Sequence, residues 1–145
     1  MITRKYTSQA IQAKNNMLPG LKEHLRILVD DFDFSLSSIL NAAIDHAENV
    51  TGSIFLESEF SGTDIDRGGF YPIQQVTSGD ATFDGGRIKG EGEVTFLAGY
   101  PSIPPAVITA IYLIAASTWK DPEDGVRNLP TASTNLLKSY RRWQR

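Results

Sequence analysis

The residues that could do chemistry are few. There are two histidines, His24 and His46, and they fall on different predicted helices. A metal site needs three or four ligands held together. The partners available to either are scattered carboxylates, so each reads as a partly exposed helical histidine. Asp30, Asp31 and Asp33 could offer oxygens to a hard cation. Their spacing lacks the glycine and the distal glutamate of a calcium loop, so they read as an acidic turn and helix cap. The glycine-rich "DGGRIKGEGE" lacks the Gly-Lys-Ser/Thr of a phosphate cradle, and strand residues follow it. A hairpin turn is the simpler reading. No serine sits in Gly-x-Ser-x-Gly. Glu57/Glu59 and Glu91/Glu93 repeat with period two, which in strands puts each pair on one solvated face. Cysteine is absent, so disulfides, thiolate metal sites and cysteine nucleophiles are excluded. No catalytic, metal-binding or cofactor-binding residue emerges. The chain reads as a binding or assembly protein, not an enzyme.

The charge distribution is less bland. Lys138 to Arg145 has four cations and no acid, while residues 57–93 have eight acids and three bases. A short basic run is usually a solvated helix end. Here Tyr140 and Trp143 alternate with Arg141 and Arg142, and Trp and Arg are favoured interface anchors. The segment is therefore a candidate docking surface. A net charge of -3 disfavours a dedicated nucleic-acid binder.

The elements that carry these residues read as follows. Residues 1–16 are polar and form either a short helix around Tyr6–Lys14 or an arm. No apolar run follows their positive charges, so no signal peptide is expected. "MLPGLKEHLRIL" predicts a helix with Pro19 in its first turn and Leu21, Leu25 and Leu28 on one face. "DFSLSSILNAAIDHAENVTG" predicts a helix whose apolar stripe is Leu36, Ile39, Leu40, Ala43, Ile44, Ala47 and Val50. Asp33 or Ser35 can cap it, and Gly52 can end it. Between Ser53 and Gly99, "SIFLESEF", "FYPIQQVT", "ATFDGGRIKG" and "EVTFLAG" predict short strands, with "SGTDIDRGG" a loop and Asp84-Gly85-Gly86 a turn.

"AGYPSIPPAVITAIYLIAASTW" then predicts a helix led by Pro104 or Pro105 and running to about Trp119. Its apolar run from Ala106 to Ala116 is too short for a bilayer, which needs about 20 residues. It reads as the central helix. One side would be buried by Leu36–Val50, the other by the sheet, the last helix or a neighbouring subunit. Val107, Ile108, Ile111, Ile114 and Trp119 are its candidate subunit-packing side chains. "KDPEDGVRNLP" is a linker, and "TASTNLLKSYRRWQR" a last helix carrying Leu136, Leu137, Tyr140 and Trp143. The fold class is α+β, mainly helical. A four-helix core, two helices from each end of the chain, carries an inserted antiparallel β-region. A length of 145 residues suits one domain, with 1–16 as its arm, 53–99 as the β-rich insertion and 131–145 as the docking segment.

Four stretches in order resemble the head–tail connector (adaptor, or head-completion) proteins of tailed bacteriophages. "LKEHLRILVDDFD" is similar to that family's opening helix and "LSSILNAAIDHAENVTG" to its second. "GEVTFLAGYPSIPPAVITAIYLIAASTW" is similar to its strand, Gly-Tyr turn and proline-led helix, and "LPTASTNLLKSYRRW" to its closing segment. Residues 53–91 and the N-terminal arm do not match in detail. The resemblance implies a structural protein of the virion, made in the host cytoplasm and placed at the capsid vertex or neck. It implies a homo-oligomeric ring, commonly a dodecamer, beneath the portal protein. Such a ring extends the DNA channel without binding DNA specifically and meets a tail, neck or stopper protein; no membrane or cofactor is implied. Leu136, Tyr140, Arg141, Arg142 and Trp143 would then face the portal.

Two other readings compete. A monomeric ligand- or peptide-binding module would need a concave site among Phe55, Phe60, Phe70, Tyr71 and Phe96, which are more simply a sheet core. A hydrolase would need an acid/base constellation that cannot be named.

Overall fold

The computed structural model describes residues 2–120 and 131–141. These form two compact units interleaved along the chain. One takes residues 2–13, 52–103 and 141; the other takes 14–51, 104–120 and 131–140. The fold is α+β, with four helices and one antiparallel sheet among the described residues.

The sheet unit holds β1 (Thr3–Tyr6), β2 (Ser58–Thr63), β3 (Asp66–Arg67), β4 (Ile73–Asp84) and β5 (Arg87–Ala98). β5 is its axis. One edge pairs with β2 and then β3, the other pairs with β4 along its length, and β1 lies outside β2. The predicted turn forms, with Gly85-Gly86 joining the Asp84–Arg87 pair. β4 and β5 do not run flat. Three register shifts fall between Ile73 and Asp80, and Gly79 takes φ 92° at the last of them. Such bulges bend a strand and increase its twist. The hairpin curls until its tip returns to its own start. Gly86 O accepts from Phe70 N at 3.0 Å, and Gly85 O accepts from Ile73 N at 3.1 Å.

The even-numbered face of β5 is the inside of this curl. Ile88, Val94, Phe96 and Ala98 are buried there with Phe60, Ile65, Phe70 and Ile73. Three phenylalanines pack edge-on or offset. Centroid separations are 5.0 Å for Phe60–Phe70 and for Phe70–Phe96, and 5.5 Å for Phe60–Phe96, within the range aromatic pairs prefer.

Three strand expectations change. Only the last three residues of "SIFLESEF" enter β2, because Ile54 N donates instead to Tyr71 O at 2.6 Å and holds the preceding turn inward. "SGTDIDRGG" is not a loop, for it completes β2 and supplies β3. "IKG" and "EVTFLA" are one strand, because β5 is held by β4 up to Glu91 and by β2 from Glu93 onward.

The helical unit holds α2 (Asp33–Thr51), α3 (Pro105–Lys120), α4 (Thr131–Lys138) and the later turns of α1 (Ser8–Leu25). α1 begins far earlier than Pro19. Thr7 caps it: its Oγ1 accepts from Ala10 N at 3.2 Å, and its carbonyl accepts from Ile11 N at 3.0 Å. Pro19 therefore sits inside the helix, at the cost of the one backbone bond its ring cannot donate. The polar arm is β1 plus the first turns of α1. α1 also ends early. Ile27 N donates to Lys22 O and Arg26 N to Glu23 O, a Schellman closure with Arg26 at φ 59°.

α2 follows its predicted stripe through Ala47, and Gly52 follows it at φ 69°. Two details differ. Val50 is exposed while Glu48 is buried, so the inner face drifts at the last turn. Asp33 is the first helical residue and not the cap; Phe32 O accepts from Leu36 N at 2.9 Å. α3 starts on Pro105, with Pro104 O accepting from Val107 N and Ile108 N. α2 and α4 both pack on α3. Tyr112 reaches α1, donating to Met17 O at 3.1 Å. α3 is thus the central helix of this unit, with α1, α2 and α4 around it.

Candidate interaction surfaces

The sequence offered no reactive constellation, and the structure uses its candidate groups otherwise. Lys22 Nζ lies 2.6 Å from Asp30 Oδ1 and 3.0 Å from Asp33 Oδ1, so the acidic turn is clamped to α1 by a cation from the protein itself. The hydrogen bonds to Asp30 and then Asp33 raise the Lys22 pKa, and the bond from Lys22 lowers that of Asp30. His24 is exposed, its ring 6.0 Å from that of Tyr112; His46 is half-buried on α2. Among the described residues, no group of three or more histidines and carboxylates could hold a metal ion. None of the described helices is long and apolar enough to cross a membrane.

The two carboxylate pairs diverge. Glu91 and Glu93 share the exposed face of β5, with Asp80 directly across from Glu91. Glu57 does not share a solvated strand face with Glu59. It precedes β2, is buried, and accepts from Gln74 Nε2 at 2.8 Å; the same amide donates to Gly99 O at 2.8 Å. Three aromatics of the ligand-module reading, Phe60, Phe70 and Phe96, pack on one another, and Tyr71 is half-buried. Phe55, Phe60, Phe70 and Phe96 are buried, and Phe55 stacks on Tyr100.

Of the predicted docking residues, Leu136, Tyr140 and Arg141 are among the described ones. α4 buries Ser133 and Leu137, one turn apart, which leaves Leu136 half-buried beside the packed face. The helix stops at Lys138, and a turn follows in which Tyr140 N donates to Leu137 O at 3.0 Å. Tyr140 is half-buried and Arg141 is exposed; Arg142 and Trp143 lie outside the described residues, as does the linker 121–130. Of the predicted subunit-packing set, Val107, Ile111 and Ile114 are buried within the helical unit, while Ile108 and Trp119 are partly exposed.

One surface was not foreseen. Between α1 and α2, Leu28 is 96% exposed and Phe34 86%, with Val29 and Phe32 about half exposed. The sequence reading placed Leu28 on the inner face with Leu21 and Leu25. Arg26 overturns it, because its left-handed backbone ends the helical period before Leu28. Phe32 leans edge-on against Trp119 at 5.5 Å and is partly anchored; Leu28 and Phe34 project.

The architecture is that of a mainly helical α+β chain with a curled β-insertion, and solved chains share it from end to end. A chain in the virion of a native gene transfer agent (GTA) particle aligns over 99% of this chain and 96% of its own, at TM-score 0.72 and 20% identity. A chain in the neck of the native GTA particle, computed with C12 symmetry, aligns over 99% and 96% at TM-score 0.69 and 19% identity. One in the neck of the empty GTA particle, computed with C6 symmetry, aligns over 97% and 96% at TM-score 0.69 and 19% identity. No family model and no curated protein matches the chain. Identities this low establish a shared fold.

Proposed function

We propose that the chain is a structural subunit of the neck of a phage-like particle. Copies of it form a ring, most simply of twelve, beneath the portal protein. The ring prolongs the DNA channel and offers its far side to a tail, neck or stopper component. The observation that carries this reading is the end-to-end fold match to chains from particle necks computed with six-fold and twelve-fold symmetry. The connector resemblance, reached from the residues alone, supports the same role. So does the use of Asp30, Asp33 and Glu57 as structural partners rather than reactive groups. The role is non-enzymatic. The subunit is made in the host cytoplasm and functions in the virion. A net charge of -3 suits a channel that passes DNA without holding it.

In this reading Leu136, Tyr140, Arg141, Arg142 and Trp143 dock to the portal. Ile108 and Trp119, which keep exposed surface, serve contacts between subunits. Native mass spectrometry and negative-stain imaging of the chain, alone and with its portal, test the proposal. Rings are expected at high concentration or on the portal. A monomer under both conditions would overturn it.

A further inference from the structure

We propose that the groove between the end of α1 and the connection to α2 docks a basic amphipathic helix of another protein. The helix sets an apolar side chain in the groove and lysine or arginine against its carboxylates. The site is independent of the ring reading above. The groove holds about 460 Å³, and Leu18, Pro19, Ile27 and Leu28 form its apolar walls. Leu28 is 96% exposed, and Phe34, next in sequence to the lining residue Asp33, is 86% exposed. Large apolar side chains grouped at the rim of a groove mark a surface for a partner.

Charge selects the occupant. Three carboxylates, Glu23, Asp30 and Asp33, line the groove with a single cation, Lys22. Lys22 is already engaged by Asp30 at 2.6 Å and Asp33 at 3.0 Å. Glu23 and Asp31 are exposed and form no salt bridge among the described residues. Arg26 is exposed on the same turn but stands outside the lining. The excess of acid repels nucleic acid and anionic lipid, and it attracts lysine and arginine. An apolar groove between carboxylates is the complement of a helix with an apolar stripe and basic flanks. The groove is also built before a partner arrives. Ile27 N donates to Lys22 O at 2.9 Å, Arg26 N to Glu23 O at 3.1 Å and Asp33 N to Asp30 O at 3.2 Å. A connection held by these bonds and the Lys22 clamp loses little freedom on binding. The chain's own basic segment, Lys138 to Arg145, is assigned to the portal above, which leaves the groove to a different protein.

The probe is a synthetic amphipathic helix with a leucine stripe flanked by arginine and lysine, paired with a twin that carries glutamate at the basic positions. Fluorescence anisotropy with the full chain is expected to show the basic helix binding at least about tenfold tighter than its twin. Leu28→Ser/Phe34→Ser should weaken that binding about tenfold with an unchanged thermal melt, because both side chains are exposed. Glu23→Gln/Asp31→Asn, which spares the clamp, should weaken it and flatten its salt dependence. Glu91→Gln/Glu93→Gln removes the same charge from the exposed face of β5 and should leave binding unchanged. Equal binding of the two helices, or of neither, would overturn the proposal. So would a loss in the β5 variant as large as in Glu23→Gln/Asp31→Asn, since that is attraction to net charge alone. Self-association of the chain that Leu28→Ser/Phe34→Ser or Glu23→Gln/Asp31→Asn abolishes would overturn it in favour of a second copy. None of these outcomes turns on whether the chain forms rings on its portal, so the two readings fail separately.

Discussion

The hydroxyl of Tyr112 on α3 donates to the carbonyl of Met17 on α1 at 3.1 Å, directly over Gly20. A methyl group at residue 20 would meet the ring's Cζ at 3.0 Å and its hydroxyl closer still. Replacing a helical glycine by alanine ordinarily stabilises by about 1 kcal/mol. Here the clash should reverse the sign, so Gly20→Ala is expected to lower stability by about 1–2 kcal/mol. Tyr112→Phe alone should cost about 1 kcal/mol. The double variant should recover stability relative to Gly20→Ala. A thermodynamic cycle by denaturant melts measures this, and additive losses would contradict the packing described.

Arg26 holds a backbone conformation that a side chain disfavours by about 1–2 kcal/mol and that glycine adopts freely. Arg26→Gly is therefore expected to stabilise the fold by about 0.5–1 kcal/mol, part of the relief being lost to the greater freedom of glycine when unfolded. A lowered melting temperature would show that the Arg26 side chain matters more than its backbone.

The Lys22–Asp30 pair predicts a broad stability plateau. Asp30 has a depressed pKa, so its contribution is present above its ordinary value of 3.8 and is lost as pH falls through the lower, folded one. Lys22 has a raised pKa, so its contribution is full below 10.5 and is lost only as pH rises through the higher, folded value. Asp30 is exposed, so the effects should be small and should shrink in salt. Melting temperature against pH, compared between the natural chain and Asp30→Asn, should differ between the two limits and converge at the acid end.

Ile111 is fully buried and Ile108, three residues earlier, is not. Ile111→Ala should destabilise the isolated subunit by about 2–5 kcal/mol. Ile108→Asp should leave its melt within about 1 kcal/mol, as surface changes usually do, and act on assembly instead. Equal effects on the melt would remove Ile108 from the subunit contact.

The triple variant Arg141→Ala/Arg142→Ala/Trp143→Ala should keep the fold and lose attachment to the portal. Pull-down with the portal and particle assembly are the readouts. Normal incorporation of the triple variant into particles would end the docking assignment.

Local patterns in the chain specified much of this protein. The stripe from Leu36 to Ala47, the glycine that ends α2, the proline-led α3 and the Gly85-Gly86 turn are each decided within a few residues by helical periodicity or turn stereochemistry. They were legible for that reason. Leu28, Glu57 and the curl of the β4–β5 hairpin were decided at longer range. Leu28 lost its place in the core because Arg26 closes α1 onto Lys22 and Glu23, a backbone choice that side-chain periodicity does not encode. Glu57 left the strand to meet Gln74, seventeen residues away. The hairpin curls because three register shifts bend the strand, which brings the carbonyls of Gly85 and Gly86 to the amides of Ile73 and Phe70. The exposed pair Leu28 and Phe34 belongs to the same class. Their apolar character alone marks them as core residues, and only the tertiary structure, by ending one helix before Leu28 and burying the opposite face of the next, leaves them exposed.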